Sequence, residues 1–176
     1  MSVVSDSPVR PGTGSRGRLS RAQLSRAQLS EIAAGTAART DHWRDLVRYD
    51  PARRWYRRME LTHEYEVWLL SWQPGQGTGF HDHGGSAGAF AVALGELQEH
   101  TVRASGGWIR EVAVRTVVAG VVRSLGPRVV HHVVNHSAGP AVSVHAYSPP
   151  LPQMRRYELT PAGLRYTGTE HAGQSA

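Results

Sequence analysis

The sequence predicts an all-β fold, a small barrel preceded by two short helices, and three observations carry that prediction. From Arg54 onward the chain reads as short apolar runs, YEVWLLSW, AFAVALG, WIREVAVRTVVAG, RVVHHVV and AVSVHAYS, rich in Val and aromatic residues. Runs of this kind, alternating or continuous and broken at regular intervals by turn residues, mark an antiparallel sandwich or barrel. The 19 Gly and 10 Pro supply the breaks and disfavour a long helical bundle. A length of 176 residues, with 40% hydrophobic and 19% charged side chains, provides for one core and not two.

Along the chain, residues 1–18 (MSVVSDSPVRPGTGSRGR) hold Ser, Gly, Pro and Arg with almost no apolar periodicity and are expected to form a disordered arm. Residues 19–50 are expected to supply two helices that pack on the barrel. The first covers SRAQLSRAQLSEIAAGTAA, with Ser20 as its N-cap. Its repeat of SRAQL at 20–24 and 25–29 has a period that matches no helix face, so it reads as a local duplication. The second covers TDHWRDLVRY, capped by Thr40 or Asp41, with Trp43, Leu46 and Val47 spaced to form its buried side. The barrel is expected over residues 51–165 and a flexible tail over 166–176.

Composition narrows the chemistry. The chain contains no Cys and no Lys, so all 20 basic residues are Arg. Disulfides, Cys-ligated zinc, iron–sulfur clusters, thiol nucleophiles, a P-loop lysine and a lysine Schiff base are therefore excluded. The sequence pI near 10.5 raises nucleic-acid binding, but the charge is uneven. Residues 1–58 hold 12 Arg and 5 acids, whereas residues 59–176 hold 8 Arg and 9 acids, so the excess lies outside the barrel. No helix-turn-helix, zinc-finger or RNA-recognition pattern accompanies it, and GQGTG at 75–79 opens no helix, which sets aside a dinucleotide site. Neither a run of 18 apolar residues nor a signal-type apolar core is present. The expectation is a cytoplasmic monomer without nucleic-acid or membrane partners.

Four of the ten histidines fall in two short segments, FHDHGGS and VVHHVVN. His81 and His83 are i, i+2, which on a strand places both imidazoles on one face, able to converge on one ion. His131 and His132 point to opposite faces of a regular strand, so at most one of them joins the pair. In AVSVHAYS, Ser143, His145 and Tyr147 likewise share one strand face; on spacing alone they also fit a polar outer face.

These segments resemble the cupin pattern, in which HxH is followed by an acidic ligand and a glycine, and a later segment holds His and, four residues on, Asn. His81, His83, Gly95 and the pair His131 and Asn135 match that pattern, while Ala87 and Gly88 stand where the acid belongs. The pattern thus implies a three-histidine site. Neutral imidazoles leave a divalent ion its full charge and open positions, suited to an anionic chelating substrate, and fit Fe(II), Ni, Cu or Zn.

HDHGGSAGAF and PAVSVHAYSPP together resemble the cysteine dioxygenase type I family of thiol dioxygenases over roughly residues 43–151. The resemblance implies a cupin barrel of jelly-roll type, one Fe(II) held by His81, His83 and His131, and a hydrogen-bond relay of Ser143, His145 and Tyr147. It implies an arginine clamp for the substrate carboxylate, preceded two residues earlier by tyrosine, a relation met by Tyr56 and Arg58, with Tyr147 also at the substrate. The planar guanidinium suits a carboxylate, binding it through two parallel bonds. Arg57 is expected to face away, and Arg53 and Arg54 to be solvated. Gly88 occupies the position of the cysteine that in some members crosslinks to the tyrosine, so Tyr147 is expected to work as an unmodified phenol. The implied reaction is L-cysteine and O2 to cysteine sulfinic acid. The alternatives are oxidation of 3-mercaptopropionate or another small thiol, or a metal-binding cupin without oxygen chemistry.

Overall fold

The computed structural model describes residues 23–105 and 108–171. The expected arm and the expected cap Ser20 lie outside them. Helix α1 spans Arg26–Ala38, and its N-cap is Ser25, from the second copy of the duplicated SRAQL. Ser25 Oγ accepts from the Gln28 amide while the Gln28 side chain accepts from the Ser25 amide, a reciprocal box that satisfies two free helix donors. The second helix is shorter than expected: α2 spans Thr40–Trp43 and continues as a 3-10 turn over Arg44–Leu46. Arg39, not Thr40 or Asp41, stands at its N-cap and makes no side-chain capping bond.

Among the described residues eleven strands follow: β1 Tyr56–Leu61, β2 Glu66–Trp72, β3 Phe80–Asp82, β4 Ala87–Leu94, β5 Glu96–Ser105, β6 Trp108–Val118, β7 Val122–Leu125, β8 Val130–Val134, β9 Ala141–Ser148, β10 Gln153–Thr160 and β11 Gly163–His171. They form two antiparallel sheets, ordered β1-β2-β9-β4-β7 and β11-β10-β3-β8-β5-β6. Strand β11 corrects the expected tail, since residues 166–171 pair with β10 along most of its length.

The central strands β4 and β9 read as continuous apolar runs because both of their faces are covered. On one face Ala87, Ala89, Ala91, Val142, Val144 and Ala146 meet Leu29 and Ala33 of α1 and Trp43 of α2. Alanines there let the helix approach the sheet closely, and Leu46 and Val47 complete the cluster. On the other face Phe90, Val92 and Ala141 join Leu70, Trp72, Leu97, Val117 and Val133 between the sheets. Period-two alternation therefore turns Ser143, His145 and Tyr147 into the barrel, not onto an outer surface. No helix of the described residues is long and apolar enough to cross a membrane.

Candidate metal centre and substrate cavity

His81 on β3 and His131 on β8 are register partners across the sheet, and His83 follows β3 directly. The three rings lie with centroids 4.6 to 5.2 Å apart, and one nitrogen from each falls within 4.8 Å of the others. All three are buried. The intervening residue, Asp82, points the other way and ties the loop to β10: it accepts from Arg155 Nε at 3.0 Å, Tyr157 Oη at 2.8 Å and the Gly84 amide at 2.9 Å. Burial pushes the Asp82 carboxyl up, but these donors outweigh it and hold it below its usual range. Gly84 is required at this bend, because φ is +61° and a Cβ would lie 2.6 Å from the Gln153 carbonyl oxygen.

The far sides of two imidazoles are anchored. His81 Nδ1 lies 3.0 Å from the Gly79 carbonyl, and His131 Nδ1 lies 3.1 Å from Glu99 Oε1. An acceptor at Nδ1 demands the proton there and leaves the Nε2 lone pair for an ion. Glu99 is fully buried and also accepts from Arg123 Nε at 2.7 Å. Burial favours its neutral form, yet His131 and Arg123 hold its carboxyl below the usual range. Burial first, and neighbouring histidines second, push His81 and His83 well below the ordinary imidazole range. Three buried imidazole nitrogens converging on one point fit a divalent transition ion.

The relay on β9 is continuous and has a direction. Trp72 Nε1 donates to Ser143 Oγ at 2.9 Å, Ser143 Oγ lies 2.9 Å from His145 Nε2, and His145 Nδ1 lies 3.1 Å from Tyr147 Oη. Indole can only donate, so the hydroxyl proton of the buried Ser143 goes to His145 Nε2. His145 then carries its proton on Nδ1 and donates to Tyr147, whose own proton is free for the cavity. Burial, with His131 and Arg54 nearby, lowers His145 to about 3 and keeps it neutral; burial likewise raises Tyr147 above the ordinary phenol range. Gly88 pairs with Tyr147 across β4 and β9, and a Cβ there would stand 3.0 Å from its ring.

His81, His131, His145 and Tyr147 line one cavity together with Arg54, Tyr56 and Arg156. Arg54 lies over the Trp72 ring at 4.9 Å and donates through Nη1 to the Gly77 carbonyl, while its buried Nε has no partner. Burial, then Arg156, lower its pKa.

Residues 17–160 match the sequence profile of the family described as cysteine dioxygenase type I. The chain belongs to that family. Solved structures similar to this cysteine dioxygenase family member include TT1209 from Thermus thermophilus, with TM-score 0.52 and 23% identity over 61% of this chain and 93% of that one. A conserved protein with a double-stranded β-helix domain from Klebsiella pneumoniae has TM-score 0.50 and 20% identity over 71% and 93%. A cupin superfamily protein from Desulfitobacterium hafniense has TM-score 0.50 and 10% identity over 60% and 86%. These likenesses show the fold, a small cupin barrel. No curated protein matches the sequence.

For this cysteine dioxygenase family member, the expected histidines and the serine, histidine and tyrosine of the relay come together, and Tyr56 joins them in the cavity. Arg58 does not. Its Nη1 lies 3.6 Å from the buried Glu66 carboxylate and its guanidinium lies over Trp68 at 5.4 Å, in the groove outside the histidine cavity. Arg54, expected to be solvated, lines the cavity instead. His132 turns to the other face of β8, against Phe80 and His100. Asn135 is a brace: its Nδ2 donates to the Trp72 and Gly139 carbonyls, and its Oδ1 accepts from Ser137. No motif signals Glu99, Arg54 or Arg156. Glu99 alone has a readable sign, an acid on the same strand face as the inward Leu97.

Proposed function

We propose that this thiol dioxygenase family member uses Fe(II) to convert L-cysteine and O2 to cysteine sulfinic acid, the sulfur gaining both oxygen atoms. The reading rests on one juxtaposition: His81, His131, Tyr147 and Arg54 line a single cavity. When bound, iron supplies the redox chemistry that brings dioxygen and the substrate sulfur together. The chain's own residues do the rest. His81, His83 and His131 hold the ion. Arg54, in place of Arg58, takes the substrate carboxylate: it is a half-buried arginine whose buried Nε is unpartnered, and a carboxylate can accept two parallel bonds from that fork. Tyr147 presents a proton to the substrate carboxylate or to the oxygen being transferred, its orientation set through His145, Ser143 and Trp72. Leu70, Val133, Leu151 and Met154 give the cavity an apolar wall that excludes water and strengthens these contacts.

The test is oxygen uptake by anaerobically purified, Fe(II)-loaded protein with L-cysteine and with 3-mercaptopropionate side by side, with products identified by mass. Uptake with two oxygens gained on cysteine is expected. Preference for 3-mercaptopropionate would move the substrate assignment to that acid, and no uptake with either thiol despite bound iron would overturn the dioxygenase reading.

A further inference from the structure

The mouth of the cavity holds an arrangement of charge that the reaction itself does not require. Two guanidinium groups, Arg54 and Arg156, line the cavity, and one carboxylate, Glu170, lines it with them. Arg156, on β10, donates through Nη2 to Glu170 Oε2 at 2.5 Å and through Nη1 to the Thr78 carbonyl at 2.7 Å. Glu170 comes from β11, the strand that closes the edge of the sheet. The bond from Arg156, against the opposing effect of partial burial, holds the Glu170 carboxyl below its usual range, so it is ionised at neutral pH. Arg54 has no such partner: among the described residues it meets the Gly77 carbonyl and the Trp72 ring, and no carboxylate pairs with it.

We propose that Glu170 limits the substrate to thiols carrying one carboxylate, by occupying Arg156 and leaving Arg54 as the cavity guanidinium that forms no ion pair or hydrogen bond with a described carboxylate. The inference rests on the reading of the cavity as a thiol-acid site and names its charge class. A second substrate carboxylate would have to take Arg156 Nη2 from Glu170 and would then face the displaced Glu170 charge. Like charges brought together in a partly buried mouth repel, so a dicarboxylate thiol is rejected by a group that never touches the accepted substrate. Glu170 is thus a specificity-determining residue that acts through Arg156. Glu170→Gln keeps the shape, removes the charge and frees the Arg156 fork for a second carboxylate.

The experiment titrates the full, Fe(II)-loaded chain under anaerobic conditions with 3-mercaptopropionate and with mercaptosuccinate, following tryptophan fluorescence, to which Trp68 in the cavity and Trp72 beneath Arg54 contribute. The same titrations are run with propionate and succinate, which carry no thiol. The wild type is expected to favour the monocarboxylate of each pair. Glu170→Gln is expected to bind both dicarboxylates about tenfold tighter, with the monocarboxylates changed by less than about threefold, the scale of one additional charge-assisted hydrogen bond. Adding Arg156→Met to Glu170→Gln should abolish the gain. An unchanged ratio in Glu170→Gln, or a gain that survives the loss of Arg156, would overturn the proposal; a thermal melt matching wild type shows that the variant is folded. The two readings fail separately. A ratio that shifts in both pairs with no oxygen uptake on any thiol sinks the dioxygenase reading and supports this one, whereas normal cysteine-dependent uptake with an unshifted ratio does the reverse.

Discussion

The histidine wall of the cavity and the mouth that faces the arginines are built in different ways. The wall is local: His81 and His83 come from one short segment, Ser143, His145 and Tyr147 from one strand, and His131 from the strand paired with His81. Alternation along a strand puts each set on one face, and the helices packed on the other face of β4 and β9 make that face the inward one for the relay residues. The mouth is assembled from distant parts, with Arg54 preceding β1, Arg156 on β10 and Glu170 on β11. The comparison teaches that the convergence of the histidines follows from strand periodicity and one pairing of neighbouring strands, while the charge at the mouth is a property of how the edges of the barrel meet.

The largest effects fall on the histidine wall. His131→Ala removes one of three ligands and is expected to abolish iron retention and activity, whereas His132→Ala, on the opposite face, should keep both; metal analysis of the two purified proteins decides. Iron retained in the first and lost in the second would shift the ligand by one residue.

At the mouth, Arg54→Gln is expected to lower kcat/KM for cysteine by on the order of a hundredfold, the effect of removing a charged partner of the substrate carboxylate. Arg58→Gln should change it by less than about threefold, because that side chain is already engaged with Glu66 and is solvated. Steady-state kinetics on both variants sharpens the comparison directly, and the reverse order would return the clamp to Arg58.

Behind the wall, Glu99→Gln leaves the His131 anchor without its charge. Iron affinity is expected to fall by about tenfold to a hundredfold, as for other histidine anchors, with kcat at saturating iron little changed. A chelator competition measures it. Trp72→Phe is a smaller perturbation: the relay loses the donor that sets its direction, and kcat should fall by about tenfold, within the range for proton-positioning groups, while KM and iron content hold.

A separate effect, confined to acid conditions, falls on stability against pH. His145 titrates at about 3 in the folded chain and near 6.5 unfolded. A lowered folded pKa means that its stabilising contribution is complete above pH 6.5 and is lost as pH falls from there toward 3. Denaturant titrations from neutral pH into the acid range should therefore show a decline, and His145→Phe should flatten it by about one proton, about 1.4 kcal/mol per pH unit at most.

Much of the wall is legible in the sequence alone. HxH spacing, the i, i+2, i+4 pattern on β9 and the His131 to Asn135 interval each describe neighbours within one strand or loop, and the fold keeps them as neighbours. The arginines are not legible in the same way. Among Arg53, Arg54, Arg57 and Arg58, spacing from a tyrosine favours Arg58, but the register of Tyr56 against Leu70, and of Arg58 against Trp68, carries Arg58 out to Glu66. Residues 166–176 read as a tail because they have little apolar content, yet residues 166–171 belong to the edge strand β11, exposed along much of one face.

Sequence by itself determined the barrel, the shared face of His81 and His83 and the shared face of the relay residues, because those features follow from alternation along short strands; His131 as the third ligand came from the family resemblance, and it meets His81 through the pairing of β3 with β8. Only the tertiary structure decided which arginine enters the cavity, that Glu99 braces His131, and that Glu170 occupies Arg156. Each of these is a placement or pairing of charges across segments far apart in the chain, and such pairings exist only once register and barrel closure have set the distances.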